Sequence, residues 1–149
     1  RGSPNRADQN QESLLKGREM RDIQIDLFTV FVAAVLNMLI GFFWYSKWLF
    51  GPTWMKLRKI KSGEWNKMSL VYGLIASLVI AYFLAFFEGA LGVTTVTDGM
   101  FVGFCMWLGF VASTQISAVI WNGAPFQLFV LDTGFRLLSF LVMGGVIGA

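Results

Sequence analysis

Four long apolar segments, separated by polar stretches, dominate the pattern of residues along the chain. Each has about 22 to 24 residues, enough to cross about 30 Å of hydrocarbon as a helix that rises 1.5 Å per residue. They are too long for the strands of a membrane β-barrel, which need about 9–11 residues. The pattern therefore predicts four transmembrane helices, over about residues 23–45, 69–91, 100–121 and 126–149.

The polar stretches between these segments differ in charge. Residues 46–68 hold six basic side chains against one acid, Glu64, whereas residues 92–99 hold no base and residues 122–125 form a short uncharged turn. Basic loops stay on the cytoplasmic side of a membrane. We therefore expect a multi-pass protein of the cell membrane, the bacterial inner membrane, with loop 46–68 in the cytoplasm and both termini outside.

The basic loop also contains a helix signal. Gly51 and Pro52 break the chain after the first segment, and Thr53 is a candidate N-cap for a short helix that ends near Ile60. Aromatic residues such as Trp54 suit the membrane interface, with the lysines reaching into the headgroups. The predicted fold is therefore an all-α integral membrane bundle of four transmembrane helices, with a short interfacial helix after the first.

The N-terminal residues 1–19 are polar and show no useful amphipathic periodicity. Met20 opens the stretch that leads into the first helix, and we interpret it as the native start of the protein. The preceding residues are then a non-native extension, with a natural disordered tail as the alternative. On this interpretation residues 20–149 form a single transmembrane domain.

Composition supports the membrane assignment and narrows the chemistry. Of the 149 residues, 56% are hydrophobic and 14% are charged, against about 25% charged residues in a typical soluble domain. The chain has no histidine, which excludes Ser-His-Asp and Cys-His catalysis and most zinc sites. We expect no metal and no cofactor. We also expect no nucleic acid as a partner, because most of the basic residues lie in one loop that membrane topology explains.

Small residues recur at a spacing of four in all four segments. Such stripes let helices approach closely in lipid, where packing rather than hydrophobic expulsion drives association. We predict a compact bundle, with a homodimer contact through one stripe as the alternative. The stripes are Thr29, Ala33, Asn37 and Gly41 in the first segment, Gly73, Ser77, Ala81, Ala85 and Gly89 in the second, Cys105, Gly109, Ser113 and Ser117 in the third, and Gly144 and Gly148 in the fourth.

Two charges lie inside the fourth segment, Asp132 and Arg136. At a spacing of four they project from one face of a helix and can pair, and by residue count Arg136 lies near the middle of the membrane. A charge at that depth costs about 2.5–3.5 kcal/mol on insertion scales, so the pair is expected to face protein or water. Polar side chains of similar depth complete a candidate polar layer, which comprises Asn37, Thr114, Ser117, Asp132 and Arg136.

Three interpretations of this layer remain open. Asp132 and Arg136 can neutralise each other as packing glue, or line a polar passage for an ion or small solute, or recognise a partner's transmembrane helix. The other acids need less explanation. Glu88 and Asp98 are expected near the outer surface without a special role, and Asp26 is placed to favour the N-terminus of the first helix.

The run NMLIGFFWYSKWLFGPTW, residues 37–54, resembles the signature of a bacterial membrane family known as domain of unknown function seventeen-sixty-one. The runs GMFVGFCMWLGF and LDTGFRLL, followed by GGVIGA, are similar to its C-terminal half, so the resemblance covers about residues 20–149. It implies a small four-helix membrane protein and leaves the activity open. The signature residues are Trp44, Tyr45, Ser46, Phe50, Gly51 and Trp54.

For function, the sequence favours a non-catalytic membrane subunit or scaffold that acts through helix packing, in a homo-oligomer or a larger membrane assembly. The alternative is an oligomeric channel or transporter for an ion or small solute that uses the polar layer. A membrane enzyme is least favoured. It would have to work from Asp132, Arg136 or Ser117 without histidine, a metal cluster or a second strong carboxylate nearby.

Overall fold

The architecture is all-helical in the computed structural model, which describes residues 5–7, 9–10, 25–59 and 67–149. No strand occurs in these ranges. Four of the helices are long and apolar enough to cross a membrane, which confirms the four predicted spans. The main elements are α1 (Leu27–Trp44), the short α2 (Gly51–Arg58), α3 (Lys67–Leu91), α4 (Val96–Asn122) and α5 (Phe126–Ile147).

Some expectations fall on residues that the structure does not describe. The proposed N-terminal extension lies almost wholly outside the described residues, and so does Met20. Residues 60–66 of the basic loop lie outside them as well.

α1 begins one residue after its N-cap, Asp26. The Asp26 carboxylate accepts hydrogen bonds from the backbone N–H groups of Phe28 (3.1 Å) and Thr29 (3.3 Å). These donors have no partner within the helix, so the cap stabilises the first turn. The hydrogen bond from the Thr29 hydroxyl is the main reason why the pKa of Asp26 is lowered, with the backbone bonds adding to it. The helix therefore starts later than the predicted residue 23.

α1 and α3 run antiparallel and pack through their small-residue stripes. Ala33 and Ala81 are fully buried, at 0% exposure. One turn away, the Asn37 amide donates a hydrogen bond to the Ser77 hydroxyl at 2.7 Å. Small side chains allow the two backbones to approach, so dispersion contacts hold the helices together in lipid.

α4 and α5 cross at glycines that leave no room for a side chain. A Cβ atom at Gly99 would collide with the carbonyl oxygen of Gly144, and one at Gly103 would collide with that of Phe140. Such backbone contact is possible only without a Cβ atom. The first half of α4 is therefore fixed tightly against α5.

The second half of α4 is packed very differently. A π-helical segment, Trp107–Ala112, interrupts the helix, and the Trp107 indole fills the space towards α5 by donating to the Thr133 carbonyl oxygen at 2.9 Å. Beyond it, no described atom outside the local helix backbone lies within 4 Å of the place where a Cβ of Gly109 would stand. Gly109 therefore contacts no other helix of this chain, and its role in helix packing stays a prediction. The bulky Trp107 side chain separates the two helices where the earlier glycines brought them together.

Candidate functional site

Asp132 lies where the loop helix α2 docks on α5. Its Oδ1 atom accepts hydrogen bonds from the Tyr45 hydroxyl (3.0 Å) and the Trp54 indole N–H (2.9 Å). Its Oδ2 atom accepts one from the Arg58 guanidinium at 2.8 Å. We call these four residues the Asp132 clasp. All three donors come from the segment that follows α1, so the clasp fastens that segment to the last helix.

The predicted ion pair between Asp132 and Arg136 is wrong, because Asp132 pairs with Arg58. The Asp132 side chain is 15% exposed and both of its oxygens are occupied by the clasp. Arg136 is exposed, and within the described part of the chain it has no hydrogen bond or ion pair. The pair was predicted because Asp132 and Arg136 lie one turn apart on the same helix. In the structure, three donors from another part of the chain bind the Asp132 carboxylate instead.

The two charges also lie at the end of the bundle that carries α2, which we call the loop end. A Cβ at Gly134 would stand 3.5 Å from the Trp44 ring, and Trp44 is the last residue of α1. α5 therefore begins about two turns beyond the end of α1, and Arg136 lies level with that end. The predicted depth of Arg136 in the membrane stays a prediction.

Aromatic rings surround the clasp. Trp44 packs on Phe50 with ring centroids 4.7 Å apart, and Tyr45 packs on Trp54 at 5.1 Å. Phe135 of α5 lies 5.3 Å from the Tyr45 ring. Burial is the main reason why the pKa of Tyr45 is raised, and the nearby Asp132 carboxylate raises it further. The phenol therefore stays protonated and keeps donating to Asp132.

A tight turn connects the end of α1 to the start of α2. The Gly51 N–H donates to the Ser46 carbonyl oxygen at 3.0 Å. A Cβ at Gly51 would lie 2.6 Å from that same oxygen, and closer still to the Tyr45 carbonyl oxygen. Only glycine fits there. α2 starts at Gly51 and Thr53 makes no side-chain cap, so the predicted Thr53 cap is wrong. Pro52, with its preset φ, suits the first turn instead.

A family model described as "Protein of unknown function (DUF1761)" matches residues 28–148. The chain belongs to this family. The predicted resemblance is thereby confirmed, and the matched region of this DUF1761 protein contains the Asp132 clasp and all of the four long helices except Leu27. No curated protein and no solved structure matches the chain.

The other members of the predicted polar layer do not join the clasp. Asn37 is buried and bonds to Ser77 of α3. Thr114 and Ser117 are exposed, and the Thr114 hydroxyl donates to the Phe110 carbonyl oxygen of its own helix. Among the described residues, the Asn37 Oδ1 atom of the DUF1761 protein is buried without a hydrogen-bond partner. Within those residues, the structure links the layer members in no shared network.

Glu88 is a polar residue whose burial the sequence analysis missed. It is 2% exposed, and neither carboxyl oxygen has a hydrogen-bond partner among the described residues. Its Oε1 atom lies 3.2 Å from the place where a Cβ of Gly144 would stand. The signal was available, because Glu88 follows Ala81 by seven residues and Leu84 by four. That spacing puts it on the buried face of α3.

Proposed function

We propose that this DUF1761 protein is a non-catalytic membrane subunit that assembles with a second copy through an exposed stripe on α4. The α4 stripe consists of Cys105, Gly109, Ser113 and Ser117, and all four residues are exposed. In the most apolar 18-residue stretch of α4, 6% of the residues are buried, against 33% of the residues in that of α5. This uncovered α4 surface is the observation that carries the proposal.

The chemistry of the α4 stripe suits contact with another helix. Its residues are small, which permits close approach in lipid. The Ser113 hydroxyl donates to the Gly109 carbonyl oxygen, so the serine presents no unpaired donor. A spacing of four overshoots an α-helical turn by about 40°. The wider π-helical turn at Trp107–Ala112 offsets that drift and keeps the stripe in line.

A twofold axis along the membrane normal would pair the α4 stripe with itself. Such closed symmetric contacts are the commonest oligomeric arrangement. Each residue near the axis then meets its own counterpart in the second copy, and Gly109 provides the open space for that approach. The proposal therefore needs no further protein as a partner.

Two observations weigh against the transport alternative. The Asp132 clasp uses both carboxylate oxygens, which leaves little of that group to bind a solute. A groove of about 190 Å³ beside α3, α4 and α5 is lined by apolar side chains such as Phe83 and Phe110. A passage for an ion requires polar lining groups, and this groove does not supply them.

We also propose that the loop end faces the cytoplasm of a bacterial inner membrane. The exposed basic residues Lys47, Lys56, Arg58 and Lys59 all lie at this end. An excess of Lys and Arg in a short loop favours retention on the cytoplasmic side.

Oxidative crosslinking in native membranes tests the assembly. Cys105 is the only cysteine of the chain and belongs to the α4 stripe. Copper phenanthroline is expected to join two copies by a Cys105–Cys105 disulfide, which non-reducing gels report as a dimer. The matched control combines Cys105→Ser with Val71→Cys, which moves the thiol to an exposed position on α3. Equal dimer formation by the control, or none by the wild type, contradicts the proposal.

A further inference from the structure

At the loop end, Arg136 has no anionic partner among the described residues. Its side chain is exposed, and no described residue gives it a hydrogen bond or an ion pair. The nearest acid along its helix, Asp132, is occupied by the clasp. A guanidinium is planar, weakly hydrated and suited to bind two oxygens of a phosphate at once. An unpaired arginine in this position therefore calls for an anionic partner.

The surroundings of Arg136 are positive. Arg58, 46% exposed, is paired with Asp132 in the clasp, and Arg136 lies one helical turn from Asp132 on α5, about 6 Å along the axis. Two guanidinium groups thus lie near one carboxylate, which supplies a single negative charge. Lys56, exposed on α2, adds another positive charge. The field at this corner attracts an anion.

An apolar groove lies close to this positive corner. Phe140 lines the groove together with Phe83, Met106 and Phe110, and its volume is about 190 Å³. Arg136 does not line the groove, but it precedes Phe140 by four residues, so both project from the same face of α5, about 6 Å apart along the axis. The Phe140 end of the groove therefore lies about one turn from Arg136, on the side away from the loop end.

We propose that Arg136 and this groove bind one anionic phospholipid. Its phosphate lies on the Arg136 guanidinium, beside Arg58, and one acyl chain lies in the groove against Phe140. The order of groups matches a lipid of the leaflet at the loop end, with the headgroup at the end of the bundle and the chain directed into it. One turn of a partner helix, about 10–12 Å wide with its side chains and 5.4 Å long, occupies at least about 400 Å³, more than the groove's volume of about 190 Å³. Free phosphate would leave the apolar surface empty.

The lipid site is separate from the α4 stripe. Met106 and Phe110 line the groove, and each follows a stripe residue, Cys105 or Gly109, by one position. One position is a rotation of about 100° around a helix. Lipid binding and pairing through the stripe therefore use different faces, and one can fail while the other holds.

Native mass spectrometry of the full chain released from nanodiscs tests the site. Nanodiscs of phosphatidylglycerol mixed with phosphatidylcholine are expected to yield protein that retains one phosphatidylglycerol. Arg136→Gln should weaken this retention about tenfold, since a charge-assisted contact is lost, and Arg136→Lys should weaken it less. Lys47→Gln removes an exposed base from the same end and should leave retention unchanged. An equal loss with Lys47→Gln would show diffuse attraction and overturn the proposal.

A second variant tests the groove without altering any charge. Val79 lines the groove and is half-exposed, so Val79→Trp should fill the groove without crowding the core. It is expected to lower phosphatidylglycerol retention as much as Arg136→Gln does, with the thermal unfolding midpoint preserved. Retention that survives Val79→Trp, or that excess inorganic phosphate abolishes, would mean that only a phosphate group is bound and would overturn the lipid site.

Discussion

Two parts of this molecule carry the same kind of small-residue stripe and use it differently. On α1 and α3, Ala33 and Ala81 are buried completely, because the two stripes face each other. On the second half of α4, Gly109 faces open space. A stripe therefore shows that a helix can be approached closely, and the neighbouring packing decides whether the approaching helix belongs to the same chain.

The largest expected effect on stability comes from replacing two glycines of α4, one in its packed half and one in its exposed half. Gly99→Ala is expected to lower the free energy of unfolding by about 3 kcal/mol, because the new methyl group meets the Gly144 backbone, which cannot rotate away. In the monomer, Gly109→Ala is expected to raise it by up to about 1 kcal/mol, because alanine favours the helix and meets no other part of the same chain. Unfolding with sodium dodecyl sulfate in mixed micelles measures both. Equal losses would remove the distinction between the two halves of α4.

The next effect concerns the Asp132 clasp, which joins the segment after α1 to α5. Asp132→Ala is expected to cost about 2 kcal/mol, because the Tyr45 and Trp54 donors lose a partly buried acceptor. Arg58→Ala should cost less than about 1 kcal/mol, because its ion pair is half-exposed. The same unfolding assay applies, with proteolysis of the loop as a local reporter. A larger loss for Arg58→Ala would make the ion pair, rather than the neutral donors, the main contribution.

A smaller effect of opposite sign is expected at Glu88. Its carboxyl group is buried without a partner among the described residues, and burying a polar group in this way is unfavourable. Glu88→Leu replaces it by an apolar side chain of similar size, so we expect a gain of about 1 kcal/mol in the free energy of unfolding. Val71→Leu, at an exposed position of the same helix, is the control and should change it by less than about 0.5 kcal/mol. Destabilisation by Glu88→Leu would show that the carboxyl group has a partner in the folded protein.

The smallest effect is local and depends on pH. The pKa of Asp26 is lowered, mainly by the hydrogen bond from Thr29. The cap is therefore fully effective above the ordinary value of 3.8, and its contribution is lost as the pH falls through the lowered folded-state pKa. The protection factors for amide hydrogen exchange at Phe28 and Thr29, which are corrected for the intrinsic pH dependence of exchange, should fall on acidification. Asp26→Asn should remove this pH dependence, and an unchanged profile in the variant would contradict the assignment.

The four spans could be read from the sequence because apolar length alone determines them. The packed glycines Gly99 and Gly103 could not be distinguished from Gly109, since all three look alike in an apolar helix. Their surroundings differ because the Trp107 side chain contacts α5, and this contact depends on how α4 and α5 cross. The local sequence does not predict how two helices cross.

The candidate site was harder to predict for a related reason. Arg58 and Asp132 are separated by 74 positions, and sequence patterns favour the neighbour four residues away. Tyr45 and Trp54 were visible as signature residues, but their hydrogen bonds depend on the turn at Gly51. The burial of Glu88, by contrast, could have been predicted from its spacing of seven residues from Ala81 and four from Leu84.

The separation between the partners of the clasp has a consequence for synthesis of the protein. A ribosome makes Arg58 and the rest of the loop long before it makes Asp132. The loop therefore has no acceptor until the final span is being delivered to the bilayer. A nascent chain that stops short of that span leaves the indole of Trp54 and the guanidinium of Arg58 without the Asp132 acceptor.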